Sequence, residues 1–108
     1  MLPRPAQTSD AEPLVSSLAD DAGLRELVVI YAQEMPERIQ TLESSYAARD
    51  WRALARHAHQ LKGGAGSHGY HQLTEFAAAL EDAAREGCDA AAIQSALDAL
   101  LALCRRVR

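Results

Sequence analysis

The chain has 108 residues, 48% hydrophobic and 24% charged, with a formal net charge of −4. That is enough for one domain around one core and too little for a two-lobed enzyme. The acidic balance, with no basic block to displace phosphate counterions, speaks against nucleic acid. No apolar run approaches the ~20 residues of a membrane span, so no membrane association is expected.

The opening MLPRPAQTSD lacks the apolar stretch of an export signal, so a cytoplasmic protein is expected, and the starting methionine favours a free-standing one. Residues 1–9, with two prolines and no periodicity, read as a flexible tail, and 10–108 as a single domain. Asp10 is placed to cap a short helix over 11–19 with Leu14, Val15 and Leu18 as its stripe. Apolar residues then recur at Leu24, Leu27, Val28, Tyr31, Met35, Ile39, Leu42 and Tyr46 with helical spacing. Pro36 interrupts this segment without changing its phase, which predicts a kinked helix or two nearly collinear halves.

Asp50 is the expected cap of the next helix, whose stripe is Trp51, Leu54, Ala58, Leu61 and Ala65. Tyr70, Leu73, Phe76, Ala77, Leu80 and Ala84 form another stripe, closed by Gly87. Asp89 caps the last, with Ile93, Leu97, Leu100, Cys104 and Val107 inside. Long amphipathic segments joined by short loops predict an all-α fold, an antiparallel up-down four-helix bundle with a short additional N-terminal helix. Cys88 and Cys104 have no C-x-x-C partner and read as reduced filler.

The stretch HQLKGGAGSHG at 59–69 holds four of the six glycines and the only lysine. Gly64, Gly66 and Gly69 satisfy G-x-G-x-x-G, but the preceding WRALARHAHQLK has no strand character, and Lys62 precedes the glycines, so dinucleotide and P-loop readings fail. On a helix with Leu54 at zero and about 100° per residue, Ala58, Leu61 and Ala65 face the core. His59 then falls near 140°, Lys62 near 80°, Gly66 near 120° and Gly63 near 180°, with Ala55 one turn before the histidine. Three helical glycines cost roughly 3 kcal/mol relative to alanine, which makes sense if something must approach that face. The other reading is a helix that stops near Lys62, with the glycines as its exit loop.

A neutral imidazole, with a reference pKa of ~6.5, is a nucleophile near pH 7 and can attack a phosphoryl group. Lys62 at i+3 can attract that group as a point charge on a flexible stem. No carboxylate cluster, nucleotide loop or general base is spaced against His59, so a partner must bring the rest. Arg49, Arg52 and Arg56 either solvate the helix or, if they border the His59 face, help hold an acidic partner. His57 lies about 200° from His59 and cannot share a metal with it. His68 and His71, spaced i, i+3 near Glu75, lack the further ligand that a metal site needs.

AHQLKGGAGSHGYHQL, residues 58–73, resembles the signature of histidine-containing phosphotransfer (HPt) domains of two-component phosphorelays, A-H-x-L-K-G-x-A/S followed by a further glycine and a leucine. The resemblance extends over about residues 10–106. Tyr70 stands where many relatives have phenylalanine or leucine, and His68 and His71 are not hallmarks. The resemblance implies that GGAG continues the helix, that His59 is the phosphoacceptor, that Lys62 and Gly63 support the phosphoryl group, and that Ala55, Gln60 and Gly66 belong to a docking face.

It also implies a phosphocarrier rather than an enzyme, with no cofactor or metal of its own. Its partners would be response regulator receiver domains and a hybrid sensor histidine kinase, with Mg2+ in the receiver's acidic pocket. A non-phosphorylated adaptor that binds a signalling partner is the alternative.

Overall fold

The computed structural model describes residues 12–108. Their regular structure is five helices: α1 (Arg25–Gln33), α2 (Met35–Ala47), α3 (Trp51–Ser67), α4 (His71–Arg85) and α5 (Ala90–Cys104). The expected tail at 1–9 and the cap at Asp10 lie outside the described residues. Helix α3 packs most extensively on α4, α4 on α5, and α2 touches both α3 and α5, closing a ring of four.

The helix boundaries follow from local chemistry. Asp50 accepts the Ala53 backbone N–H at 3.1 Å and Asp89 accepts that of Ala92 at 2.8 Å, each satisfying a first-turn donor. Pro36 falls in the first turn of α2, where its missing N–H costs no helical hydrogen bond. The segment expected as one kinked helix or two halves is two helices separated by Glu34 alone, whose backbone stays in the right-handed region. Arg38 spans this break: it donates to the Tyr31 carbonyl at 3.0 Å and lies 4.0 Å over the Tyr31 ring.

The core contains Leu54, Ala58, Leu61 and Ala65 from α3, Leu73, Ala77, Leu80 and Ala84 from α4, and Ile93, Leu97, Leu100 and Cys104 from α5. Small residues at the α3–α4 seam let the two backbones approach closely. Four members of the expected stripes are exposed, Val15 among them at 57%. Phe76 is 39% exposed, and Leu24 and Leu27 lie on the outer side of α1, which contributes only Val28 and Tyr31 to the core.

The short helix expected over 11–19 is absent from its described part. Leu14 instead pairs with Val107 in an isolated parallel bridge, donating to Arg106 O at 2.6 Å and accepting Arg108 N–H at 3.0 Å. Ser16 is buried: its hydroxyl donates to His68 O at 2.6 Å and accepts Leu18 N–H at 2.9 Å. A helix of two turns is marginal in isolation, and these long-range hydrogen bonds outweigh it. The segment is a strap that holds the α3–α4 turn against the C-terminus.

Gly69 sits under this strap with φ of +85°, and a Cβ there would meet Ser16 Oγ and stand 3.0 Å from Leu18 N. Gly87, which ends α4 with φ of +72°, has open space around it. Gly69→Ala should therefore lower the unfolding free energy by about 2 kcal/mol or more, and Gly87→Ala by about 1 kcal/mol, in urea denaturation. Equal losses at the two positions would mean that the strap does not press on Gly69.

Candidate functional site

Helix α3 runs unbroken through Gly63, Gly64 and Gly66 to Ser67, so the glycine stretch is helical and only Gly69 belongs to the turn. The three helical glycines differ in what they face. A Cβ at Gly64 would stand 3.2 Å from the Tyr31 ring, and one at Gly66 would stand 3.6 Å from Thr74 Oγ1. Gly63 has nothing within 4 Å. Close internal packing thus accounts for Gly64, whereas Gly63 leaves open surface one turn beyond His59.

His59 projects outward, its side chain 59% exposed. Its Nδ1 lies 3.0 Å from Oε2 of Glu81, a residue of α4 whose side chain is only 7% exposed. Lys62 Nζ donates to the other oxygen, Oε1, at 2.8 Å, and Arg85 Nε lies 3.0 Å from Oε2. The hydrogen bond from Lys62 holds the Glu81 carboxyl below its ordinary value of 4.5, against the opposing effect of burial, and His59 adds to the same pull.

An ionised carboxylate can only accept, so the contact with His59 requires a proton on Nδ1. A neutral His59 then carries its lone pair on Nε2, the nitrogen away from Glu81. The sequence showed no general base spaced against His59, and Glu81, a basic carboxylate on its Nδ1, corrects that expectation. The signal was present: Glu81 lies four residues after Ala77 and three before Ala84, inside the apolar stripe of α4 rather than on its solvated face.

Beside His59 is a groove of about 560 Å³ lined by Trp51, Arg52, Ala55, Arg56, Ala84 and Arg85. Ala55, read as part of a docking face, is buried at its floor, and Gly66 lies half-buried against α4. Gln60 is exposed on the other flank of α3, where a larger cavity of about 670 Å³ also takes in His57, His68 and Leu27. That cavity does not take in His59. Arg49 lies 4.7 Å over the Tyr46 ring, outside the groove lining.

His68 and His71 fall on different elements. His68 ends α3, stacks on Tyr31 at 4.3 Å between ring centroids, and donates from Nδ1 to Gly64 O at 2.8 Å. His71 begins α4 and is exposed. Among the described residues no group of three or more His, Cys, Asp or Glu side chains could hold a metal ion.

A family model described as Hpt domain matches residues 26–108. Searches of curated proteins and of solved structures gave no significant match.

Two outcomes are expected from this geometry. Glu81→Gln keeps an acceptor for Nδ1 but removes the charge, and should cost about 1 kcal/mol at pH 7, discounted because His59 and Arg85 are largely in water and Lys62 is about a third exposed. Glu81 has a lowered native pKa, so its contribution is full above 4.5 and is lost as pH falls through the native value. Melting curves of the two proteins should therefore converge in acid, and a gap that persists would argue against an ionised Glu81. Gly63→Ala should raise stability by up to ~1 kcal/mol, whereas the Cβ of Gly64→Ala would crowd Tyr31 and bring no such gain. A destabilised Gly63→Ala would contradict the open helical surface there.

Proposed function

The chain belongs to the family of Hpt domains, and on that premise we propose that it is a phosphocarrier whose His59 Nε2 accepts a phosphoryl group from a receiver phospho-aspartate and passes it to a second receiver. The family as a whole implies phosphotransfer in two-component phosphorelays. The observation that carries the assignment to this residue is the Nδ1 contact with Glu81, which reserves Nε2 as the free nucleophile on an exposed helix face. The loop order and the closed ring of α2 to α5 support an antiparallel up-down course for these four helices.

In the transfer the Nε2 lone pair forms a bond to phosphorus as the bond from phosphorus to the aspartyl oxygen breaks, and that oxygen leaves as carboxylate. The imidazole retains its Nδ1 proton and becomes cationic, a charge that the Glu81 carboxylate stabilises at 3.0 Å. Lys62, now on Oε1, is close enough on its flexible stem to turn toward the phosphoryl oxygens. The open position at Gly63 leaves room for the partner's loops, and the divalent cation of the reaction belongs to the partner's acidic pocket. Onward transfer reverses these steps.

The test is labelling by a phosphorylated receiver domain. His59→Gln should accept no phosphate while keeping its fold, since the side chain stands in solvent, whereas His57→Gln, His68→Gln and His71→Gln should still be labelled. Lys62→Ala should slow transfer without abolishing it. Acid-labile, base-stable phosphate on the wild type and none on His59→Gln supports the proposal. Full labelling of His59→Gln would overturn it, and a wild type that binds receivers but takes no label would leave an adaptor.

A further inference from the structure

Helix α3 contains no acidic residue: its formal charges are Arg52, Arg56 and Lys62, so it carries +3 in a chain of −4, and the residues outside it carry −7 between them. Within α3 the charges are unevenly satisfied. Lys62 is held by Glu81, and among the described arginines Arg38, Arg85 and Arg105 each pair with a carboxylate, while Arg25, Arg106 and Arg108 hydrogen-bond backbone carbonyls and Arg49 lies over the Tyr46 ring, which leaves Arg52 and Arg56 with no such contact. Arg52 and Arg56 are also spaced i, i+4, where like charges repel. Two exposed arginines that weaken their own helix and find no partner in an acidic protein have no evident part in folding.

Both line the groove beside His59, together with Arg85 from α4, over a floor of Ala55 and Ala84 and with Trp51 among its walls. We propose that this groove is the electrostatic docking surface for an acidic protein face, with Arg52 and Arg56 setting the orientation in which the partner's carboxylates reach His59. The inference rests on the phosphocarrier reading and names the occupant as the carboxylate-rich rim around the receiver's reacting aspartate. A nucleic acid is disfavoured by the chain's net charge of −4, which repels an extended polyanion, whereas a compact acidic rim need meet only this one groove. Unpaired guanidiniums suit such a rim because each can grip a carboxylate with two parallel N–H donors. Charge arranged in this way acts on encounter more than on the chemical step.

The experiment measures transfer from a phosphorylated receiver domain to wild type, Arg52→Glu/Arg56→Glu, Arg52→Gln/Arg56→Gln, and Arg25→Glu, a control that adds negative charge away from the groove. The glutamate pair should lower the second-order transfer constant at low salt by about tenfold or more. The glutamine pair should show a smaller loss and a flattened salt dependence, and Arg25→Glu should change little. First-order transfer at saturating receiver should be unchanged in Arg25→Glu, and the two double variants should lose less in this constant than in the second-order one, since neither arginine touches the phosphorus.

An unchanged second-order constant in the glutamate pair would overturn the proposal, as would an equal loss in Arg25→Glu or a wild-type rate indifferent to salt. Unaltered transfer combined with lost sedimentation on phosphatidylserine vesicles would reassign the arginines to a lipid surface. A wild type that takes no label at all would bring down the phosphocarrier reading itself. Labelled protein whose rates ignore Arg52 and Arg56 removes only the docking assignment.

Discussion

A carboxylate shut away from water must find its counter-charges inside the protein, and Glu81 finds two, Lys62 and Arg85, besides the hydrogen bond from His59. It joins His59 and Lys62 of α3 to Arg85 of its own helix α4, so the pairing of these helices and the set of the His59 imidazole are one arrangement. Ionising a buried acid is unfavourable by itself, and only the two donated hydrogen bonds and the nearby cations keep it charged. If α4 slid along α3, Glu81 would lose its partners and His59 its preferred tautomer together.

The close approach that this demands is supplied by alanines. Ala58 and Ala65 on α3 meet a surface of α4 that includes Ala77 and Ala84, all of them buried. With larger side chains there, a glutamate stem would be too short to span the seam while its head remained covered. Gly64 belongs to the same logic on the other flank, where Tyr31 lies against the α3 backbone. Burial pushes the Tyr31 hydroxyl up to about 12, so this contact stays neutral at any ordinary pH.

Much of this was legible in the sequence. Helical stripes revealed the inner faces of α3 and α5 almost residue by residue, because small aliphatic side chains at regular spacing have few alternatives. Asp50, Asp89 and Gly87 marked ends because their chemistry is local. Glu81 escaped because an acid on a helix usually belongs to the solvated face, and only its register against Ala77 and Ala84 betrayed it. The strap at 12–18 escaped for a different reason. Leu14, Val15 and Leu18 have helical spacing, yet what fixes this segment are hydrogen bonds to His68, Gly69 and Arg106, and no local pattern encodes partners so distant in the chain. Phe76 was misplaced because helical spacing gives the direction of a side chain but not how far the neighbouring helix extends to cover it.

The strap has one more consequence. Leu14 and Val107 lie side by side as neighbouring strands do, and the Tyr70 hydroxyl donates to Arg108 O at 2.8 Å beneath them. Leu14 and Val107 thus lie about 5 Å apart, the spacing between paired strands. Hydrogen bonds of Ser16, Ser17 and Arg108 converge on His68, Gly69 and Tyr70, so a pull on either flank of the described chain is felt at the α3–α4 turn.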